Sequence, residues 1–117
     1  MLRASPSEER SKTVWVRMST LQGSPNQSDE EVQQLVKVLR ENVLPTARQM
    51  GGYKGALSVG DRASGKGVTL TFWETEEAMK ASEEAANKLR QQAADEMDEE
   101  IAGVERFEVF INEVPQA

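Results

Sequence analysis

The sequence predicts a single α+β domain whose elements follow the order β-α-β-β-α-β. Two stretches have the apolar spacing of amphipathic helices, and each follows a residue that commonly caps a helix. Short stretches of alternating apolar and polar side chains flank these helices, as in strands with one buried face. At the centre of the chain, residues 51–82 indicate a strand, a turn, a strand and a helix in close succession.

Composition restricts the classes of protein that the chain can represent. With 117 residues, it is long enough for one domain with a core. A net charge of −6 disfavours non-specific binding to nucleic acid and to anionic membranes. No apolar run approaches the length of a membrane span, and residues 1–12 lack the apolar region of a secretory signal. We therefore expect a cytoplasmic protein with a flexible N-terminal arm at residues 1–12 and one domain at 13–117.

Two residue types are absent from the sequence. Without Cys, the chain has no disulfide, thiolate nucleophile or thiolate metal ligand. Without His, it lacks the commonest general base and the commonest metal ligand. Serine–histidine hydrolases, zinc enzymes and histidine-ligated haem proteins are therefore excluded, and we expect no metal.

The first strand and the first helix follow the N-terminal arm. Residues 13–19 are predicted to form the strand, with Val14, Val16 and Met18 on one face and Trp15, Arg17 and Ser19 on the other. Ser28 and Glu31 have the spacing of a capping box, so a helix is predicted to begin there. Its apolar stripe consists of Val32, Leu35, Val36, Leu39 and Val43. Pro45 interrupts the stripe, so we expect a kink or a restart near residues 42–44.

The central strands form a predicted hairpin. Gly51 and Gly52 are predicted to end the first helix, since glycine adopts the left-handed terminal position without steric cost. Strands are predicted at residues 53–60 and 68–73, joined by a polar, glycine-bearing turn. The third strand places Val68, Leu70 and Phe72 on one face and Thr69, Thr71 and Trp73 on the other.

The second helix is predicted to begin after Thr75, with Glu76 and Glu77 in its first turn. The acidic residues 95–100 would be unfavourable at a helix C-terminus. Either the helix ends by about Gln92 or a short second helix begins with these acids, and we favour a break. The last strand is predicted at residues 104–114.

This order is that of a ferredoxin-like domain, a four-stranded antiparallel sheet with two helices on one face. The uncovered face is predicted to include Trp15, Trp73 and Phe110. Because an apolar patch of that size rarely stays in water, we expect a homodimer that pairs through its sheets, with Trp15 and Phe110 at the dimer face.

The stretches GYKG and TLTFWETEEAMKA, with the glycine-bearing turn between them, resemble the antibiotic biosynthesis monooxygenase-like superfamily of dimeric α+β barrels. The resemblance covers about residues 13–114, and Trp73 at the strand end followed by Glu74 and Thr75 is its most specific part. The superfamily includes cofactor-free monooxygenases of phenolic, anthrone-like or quinol substrates, haem-degrading monooxygenases, and many proteins of unknown role.

The resemblance disfavours haem degradation for this chain. Haem-degrading members carry a ligating His in the second helix, where Glu83 stands here. They also place an Asn on the first strand, where this chain has Val16, Arg17 and Met18. The resemblance to the cofactor-free members implies instead a substrate pocket built from Trp73, Arg17, Tyr53 and Asn112, with no cofactor.

Each pocket candidate has a second interpretation. Trp73 is either a pocket wall or a core or interface residue. Arg17 either stabilises a phenolate or a carboxylate, or forms an ion pair with Glu108 or another acid on a neighbouring strand. Tyr53 and Asn112 either bind a ligand or are satisfied at the sheet edge.

The resemblance implies a cofactor-independent monooxygenase-like protein that acts on a small aromatic or quinol-type substrate. No catalytic residue is identified, although Glu108 could be a base if burial raised its pKa. The alternative is a non-catalytic dimeric module that binds a small molecule or a partner. Convergence of Arg17, Tyr53 and Asn112 on one cavity beside Trp73 would favour catalysis.

Overall fold

The computed structural model describes residues 13–114, which contain four strands and four α-helices. The strands are β1 (Trp15–Gln22), β2 (Tyr53–Asp61), β3 (Lys66–Trp73) and β4 (Glu100–Glu108). The helices are α1 (Asp29–Val38), α2 (Leu44–Ala47), α3 (Glu76–Ala81) and α4 (Glu83–Met97). The predicted N-terminal arm lies outside the described residues.

The strands form one antiparallel sheet in the order β2-β3-β1-β4. At one end of these strands, Trp15 of β1 lies opposite Trp73 of β3 and Glu108 of β4. The predicted ferredoxin-like α+β fold is confirmed. No helix within residues 13–114 has the length and apolar character that a membrane span requires.

Both predicted helix starts are present. The Ser28 hydroxyl accepts a hydrogen bond from the Glu31 N–H at 3.2 Å, and the Glu31 carboxylate accepts one from the Ser28 N–H at 3.3 Å. The Thr75 hydroxyl accepts from the Ala78 N–H at 3.0 Å. These bonds satisfy amide groups that a helix leaves unpaired at its start.

The helix restarts where Pro45 predicts it. A π-helical turn (Leu39–Val43) follows α1, and α2 begins at Leu44. Proline has no N–H to donate and clashes with the carbonyl of an α-helical turn before it, so the wider turn relieves the conflict.

The expected break by Gln92 is wrong, because α4 continues to Met97. Ala93 and Ala94 are buried, and their packing stabilises this last part of the helix. This stabilisation outweighs the unfavourable effect of acidic residues near a helix C-terminus. The interruption falls earlier, at Ser82, whose hydroxyl donates to the Met79 carbonyl at 2.7 Å.

The last strand also differs from its predicted range. β4 begins at Glu100 and ends at Glu108, because its partner β1 begins at Trp15, opposite Glu108. Only the Val109 N–H continues the pairing, to the Val14 carbonyl at 2.9 Å. Phe110 therefore lies beyond the sheet and is 87% exposed.

The assignment of sheet faces is wrong for both tryptophans. Arg17 on β1 contacts Met79 and Glu83, so its face is the one that the helices cover. Trp15 and Trp73 share that face, since they are register partners and Trp15 has the same parity as Arg17. Trp73 is 1% exposed.

The opposite face of the sheet carries aliphatic and phenyl side chains. It includes Val16, Met18, Leu57, Leu70, Phe72 and Phe107, which register places on one side. Leu57 and Phe107 remain 44% and 45% exposed. We call this the bare face, because the helices of residues 13–114 all lie on the other side.

Candidate active site

A cavity of about 270 Å³ lies between the sheet and the helices. Apolar side chains of α1, the π-helical turn and α4 form most of its wall, namely Val32, Leu35, Val36, Leu39, Val43, Ala86, Leu89, Ala93 and Met97. The sheet contributes Ser19, Thr69 and Thr71, whose small side chains leave the space open. Few polar groups in an apolar wall are typical of small-molecule sites.

Trp73 lines this cavity and is fixed by its neighbours. Its indole N–H donates to the Thr71 hydroxyl at 3.0 Å. The Tyr53 ring meets it edge-on, with ring centres 5.9 Å apart and planes at 80°. Trp73 is therefore both a buried core residue and part of the cavity wall, as the two interpretations proposed. Its indole N–H already donates a hydrogen bond within the protein.

Arg17 is a buried cation in the same wall. It is 2% exposed, and its guanidinium carbon lies 5.3 Å from the centre of the Trp73 ring. Its Nη2 donates to the Met79 carbonyl at 2.7 Å, the Ser82 hydroxyl at 3.0 Å and the Glu83 carboxylate at 2.7 Å. Its Nε is buried without a hydrogen-bond partner among residues 13–114. Arg17 thus forms an ion pair, but with Glu83 of α4 and not with an acid on a neighbouring strand, and its Nε donor has no partner.

Glu83 is the carboxylate that holds this arginine. Burial by itself would raise the pKa of Glu83, but hydrogen bonds from Arg106 and Arg17, together with their charges, lower it. Arg106 binds the other carboxylate oxygen. Glu83 is therefore ionised at neutral pH and neutralises only one of its two partners.

Arg90 adds a third cation to this end of the cavity. Its Nε donates to the Ser19 hydroxyl at 2.9 Å, and its Nη1 donates to the Asn87 side-chain oxygen at 2.7 Å. Burial lowers the pKa of Arg90, the positive charge of Arg17 lowers it further, and the Glu83 carboxylate opposes the shift. Three arginines thus surround one carboxylate, which leaves positive charge at the cavity wall of an acidic protein.

The other residues predicted for the site, Tyr53, Asn112 and Glu108, lie in different parts of the structure. Tyr53 reaches Trp73, and burial raises the pKa of its phenol while the charge of Arg48 partly opposes this. Asn112 lies beyond β4, is exposed, and accepts a hydrogen bond from the Val114 N–H at 3.2 Å. Glu108 accepts from the Thr13 hydroxyl at 3.1 Å and is not part of the cavity wall. The predicted convergence on one cavity therefore holds for Arg17 only, because Tyr53 packs against Trp73 without lining the cavity.

Sequence analysis missed three functional candidates, Glu83, Arg90 and Glu99. Glu83 and Arg90 lie seven residues apart on α4, on the helix face that also carries Ala86 and Ala93. The sequence signal that could have identified these two residues is a charge on an otherwise apolar stripe of the helix. Glu99 follows the helix end, and no local pattern distinguishes it from the acids beside it.

Comparison by sequence gives relatives without a stated activity. No protein-family model matches the chain. The uncharacterized proteins Rv2558 and Rv2557 of Mycobacterium tuberculosis H37Rv are each 32% identical to it, over 91 and 96 residues. These alignments cover 78% and 82% of the chain but 37% and 41% of the two proteins, so the chain spans about two fifths of their length.

Comparison by structure establishes the fold. The monooxygenase ActVA-Orf6 of Streptomyces coelicolor, in complex with nanaomycin D, matches with a TM-score of 0.61 at 16% identity, over 90% of this chain and 95% of that one. A candidate antibiotic biosynthesis monooxygenase from Deinococcus radiodurans matches with a TM-score of 0.58 at 18% identity, over 88% and 99%. The chain therefore shares the fold of these two proteins, which is the α+β fold that its resemblance predicts.

Proposed function

We propose that this protein is a cofactor-independent monooxygenase that acts on a small aromatic or quinol-type substrate. The observation that carries the proposal is the buried Arg17, which lines an apolar cavity beside Trp73 with one N–H donor unpaired. A structural neighbour that is a monooxygenase in complex with nanaomycin D supports the same class of function.

The chain would provide binding and electrostatic stabilisation. Transfer of a proton from the substrate to water leaves an anion whose charge spreads over the ring and its oxygen. This anion reacts directly with dioxygen, so that one oxygen atom becomes a carbonyl of the quinone product and the other leaves as water. The positive charge of Arg17 and Arg90 stabilises the oxyanion in an apolar site, where electrostatic interactions are stronger than in water.

Oxygen consumption with anthrone as the probe tests the activity. Wild-type protein should oxidise anthrone faster than the buffer alone. Arg17→Met should lower kcat by roughly 100-fold, because it removes the cation that faces the developing anion. Trp73→Phe, which keeps an aromatic ring but removes the indole group, should lower kcat less.

Arg40→Met is the matched control, since Arg40 is exposed on the π-helical turn and lies outside the cavity. Wild-type oxygen uptake no faster than the spontaneous reaction would reject the proposed activity. Equal rates in Arg17→Met and Arg40→Met would reject the role of Arg17.

The alternative is a binding module without catalysis. Native mass spectrometry of freshly purified protein separates the two, because a bound small molecule that leaves on denaturation would establish a ligand. Such a ligand without any oxygen consumption would favour the binding module.

We further propose that the protein is a homodimer joined through the bare face. The exposed side chains of Leu57 and Phe107 support this proposal, because a second copy would remove apolar surface from water. Pairing of two sheets in this way would give the dimeric α+β barrel that the resemblance implies.

A further inference from the structure

Glu99 is held in place by the end of α4. Asp98 adopts the left-handed conformation, with φ of 54°, and reverses the chain after Met97. The Glu99 N–H then donates to the Ala94 carbonyl at 2.8 Å. This hydrogen bond fixes the backbone from which the Glu99 side chain enters the cavity wall.

The carboxylate of Glu99 occupies space that Gly23 leaves open. A Cβ on Gly23 would lie 2.6 Å from Glu99 Oε2 and 2.7 Å from Gln27 Nε2. The second oxygen, Oε1, is buried without a hydrogen-bond partner among residues 13–114. A buried acceptor of this kind in a native protein requires an explanation, and a donor on a bound ligand would supply one.

The surroundings of Glu99 favour a neutral donor. Burial raises the pKa of Glu99, because it disfavours the charged form of the carboxyl group. Arg62 and Lys66 from the turn between β2 and β3 also line the cavity, and Arg62 is engaged by Asp29. Because these cations would repel a positively charged ligand group, a hydroxyl suits the site better than an ammonium group.

Glu99 and Arg90 approach the first strand and the loop after it at different positions. Ser19, which accepts from Arg90, is four residues from Gly23, beside which Glu99 Oε2 lies, and four residues of extended chain span about 13 Å. A ligand that reaches both positions is therefore elongated, with an oxygen acceptor at one end and a hydrogen donor at the other.

We propose that Glu99 determines specificity by accepting a hydrogen bond from a neutral hydroxyl at the far end of an elongated aromatic ligand, whose other oxygen faces Arg17 and Arg90. This inference rests on the proposed function for the existence of an aromatic ligand. It adds the shape of that ligand and the position of its second oxygen.

Calorimetric titration with two rigid probes tests the inference without any turnover. The probes are 4,4′-dihydroxystilbene, with a hydroxyl at each end, and 4-hydroxystilbene, which has only one. Wild-type protein should bind the first at least roughly ten-fold more tightly, because a hydrogen bond to a charged group contributes that much. In Glu99→Leu this ratio should fall to about one.

Glu100→Leu is the matched control, because Glu100 is the exposed neighbour that starts β4. It should keep the wild-type ratio. Glu99→Gln, which retains one acceptor oxygen, should give an intermediate ratio and guards against a folding defect in Glu99→Leu.

The inference is overturned if wild-type protein binds both probes equally, binds neither, or discriminates as well after Glu99→Leu. Its failure is distinguishable from that of the proposed function. Anthrone oxidation without probe discrimination leaves the oxygenase proposal intact, whereas discrimination without oxygen consumption supports Glu99 and rejects the oxygenase.

Discussion

Arg17 depends on Glu83 because a guanidinium stays charged in a folded protein. Arg17 is 2% exposed, and Glu83 is the acid that it contacts. Glu83→Gln should therefore lower the free energy of unfolding by about 2–3 kcal/mol, since it leaves a buried cation without its counterion. Urea denaturation measures this, and the exposed Glu84→Gln should change stability by less than about 0.5 kcal/mol. If Glu83→Gln lowered the free energy of unfolding by no more than Glu84→Gln, the ion pair between Arg17 and Glu83 would not be important for stability.

The same pair predicts a pH dependence of stability. The pKa of Glu83 is lowered in the folded state, so the unfolded chain takes up a proton first as the pH falls. The stabilisation is complete above the ordinary pKa of glutamate and is lost as the pH falls through the lowered value. The difference between wild type and Glu83→Gln should shrink in acid, and a gap that widens there would contradict this assignment.

At the scale of elements, Gly65 joins the β2–β3 turn to the loop after β1. Its φ is 79°, and its carbonyl accepts from the Gly23 N–H at 2.9 Å. A Cβ there would lie 2.3 Å from the Ser24 carbonyl oxygen. Gly65→Ala should therefore lower stability by at least about 2 kcal/mol, because a left-handed residue with a side chain is strained and the loop must also move.

Gly51→Ala is the control for this substitution. Gly51 also lies in a turn, but a Cβ there meets nothing within 4 Å and its φ is not in the left-handed region. Thermal or urea denaturation should show Gly51→Ala within about 1 kcal/mol of wild type. If Gly65→Ala and Gly51→Ala were equally stable, the β2–β3 turn would not pack closely against the loop after β1.

At the scale of the whole molecule, the bare face predicts the oligomeric state. Leu57→Lys combined with Phe107→Lys places charges within the proposed interface, where their desolvation opposes pairing. Light scattering after size-exclusion chromatography should show a wild-type dimer and a monomeric double variant. Gln92→Lys, on the exposed side of α4, should remain a dimer. A wild-type monomer or a dimeric double variant would each reject the interface.

The sequence alone determined the features that depend on residues close together in the chain. The order of elements, the caps at Ser28 and Thr75 and the helix restart before Pro45 were all predictable, because capping, turn and proline preferences act over a few residues. Trp73 and Arg17 were grouped in one pocket by the family resemblance, and the register of β1 and β3 places them on one face of the sheet.

Only the tertiary structure decided which face of the sheet the helices cover. The face with Trp15 and Trp73 was expected to be uncovered, yet the helices cover it, and it also carries Arg17, Ser19 and Thr71. The small side chains of Ser19 and Thr71 leave a cavity, and the ion pair with Glu83 makes it possible to bury Arg17 beneath α4. Arg90 and Glu99 enter the site for the same reason, because their distance from Arg17 is set by helix packing and not by sequence separation.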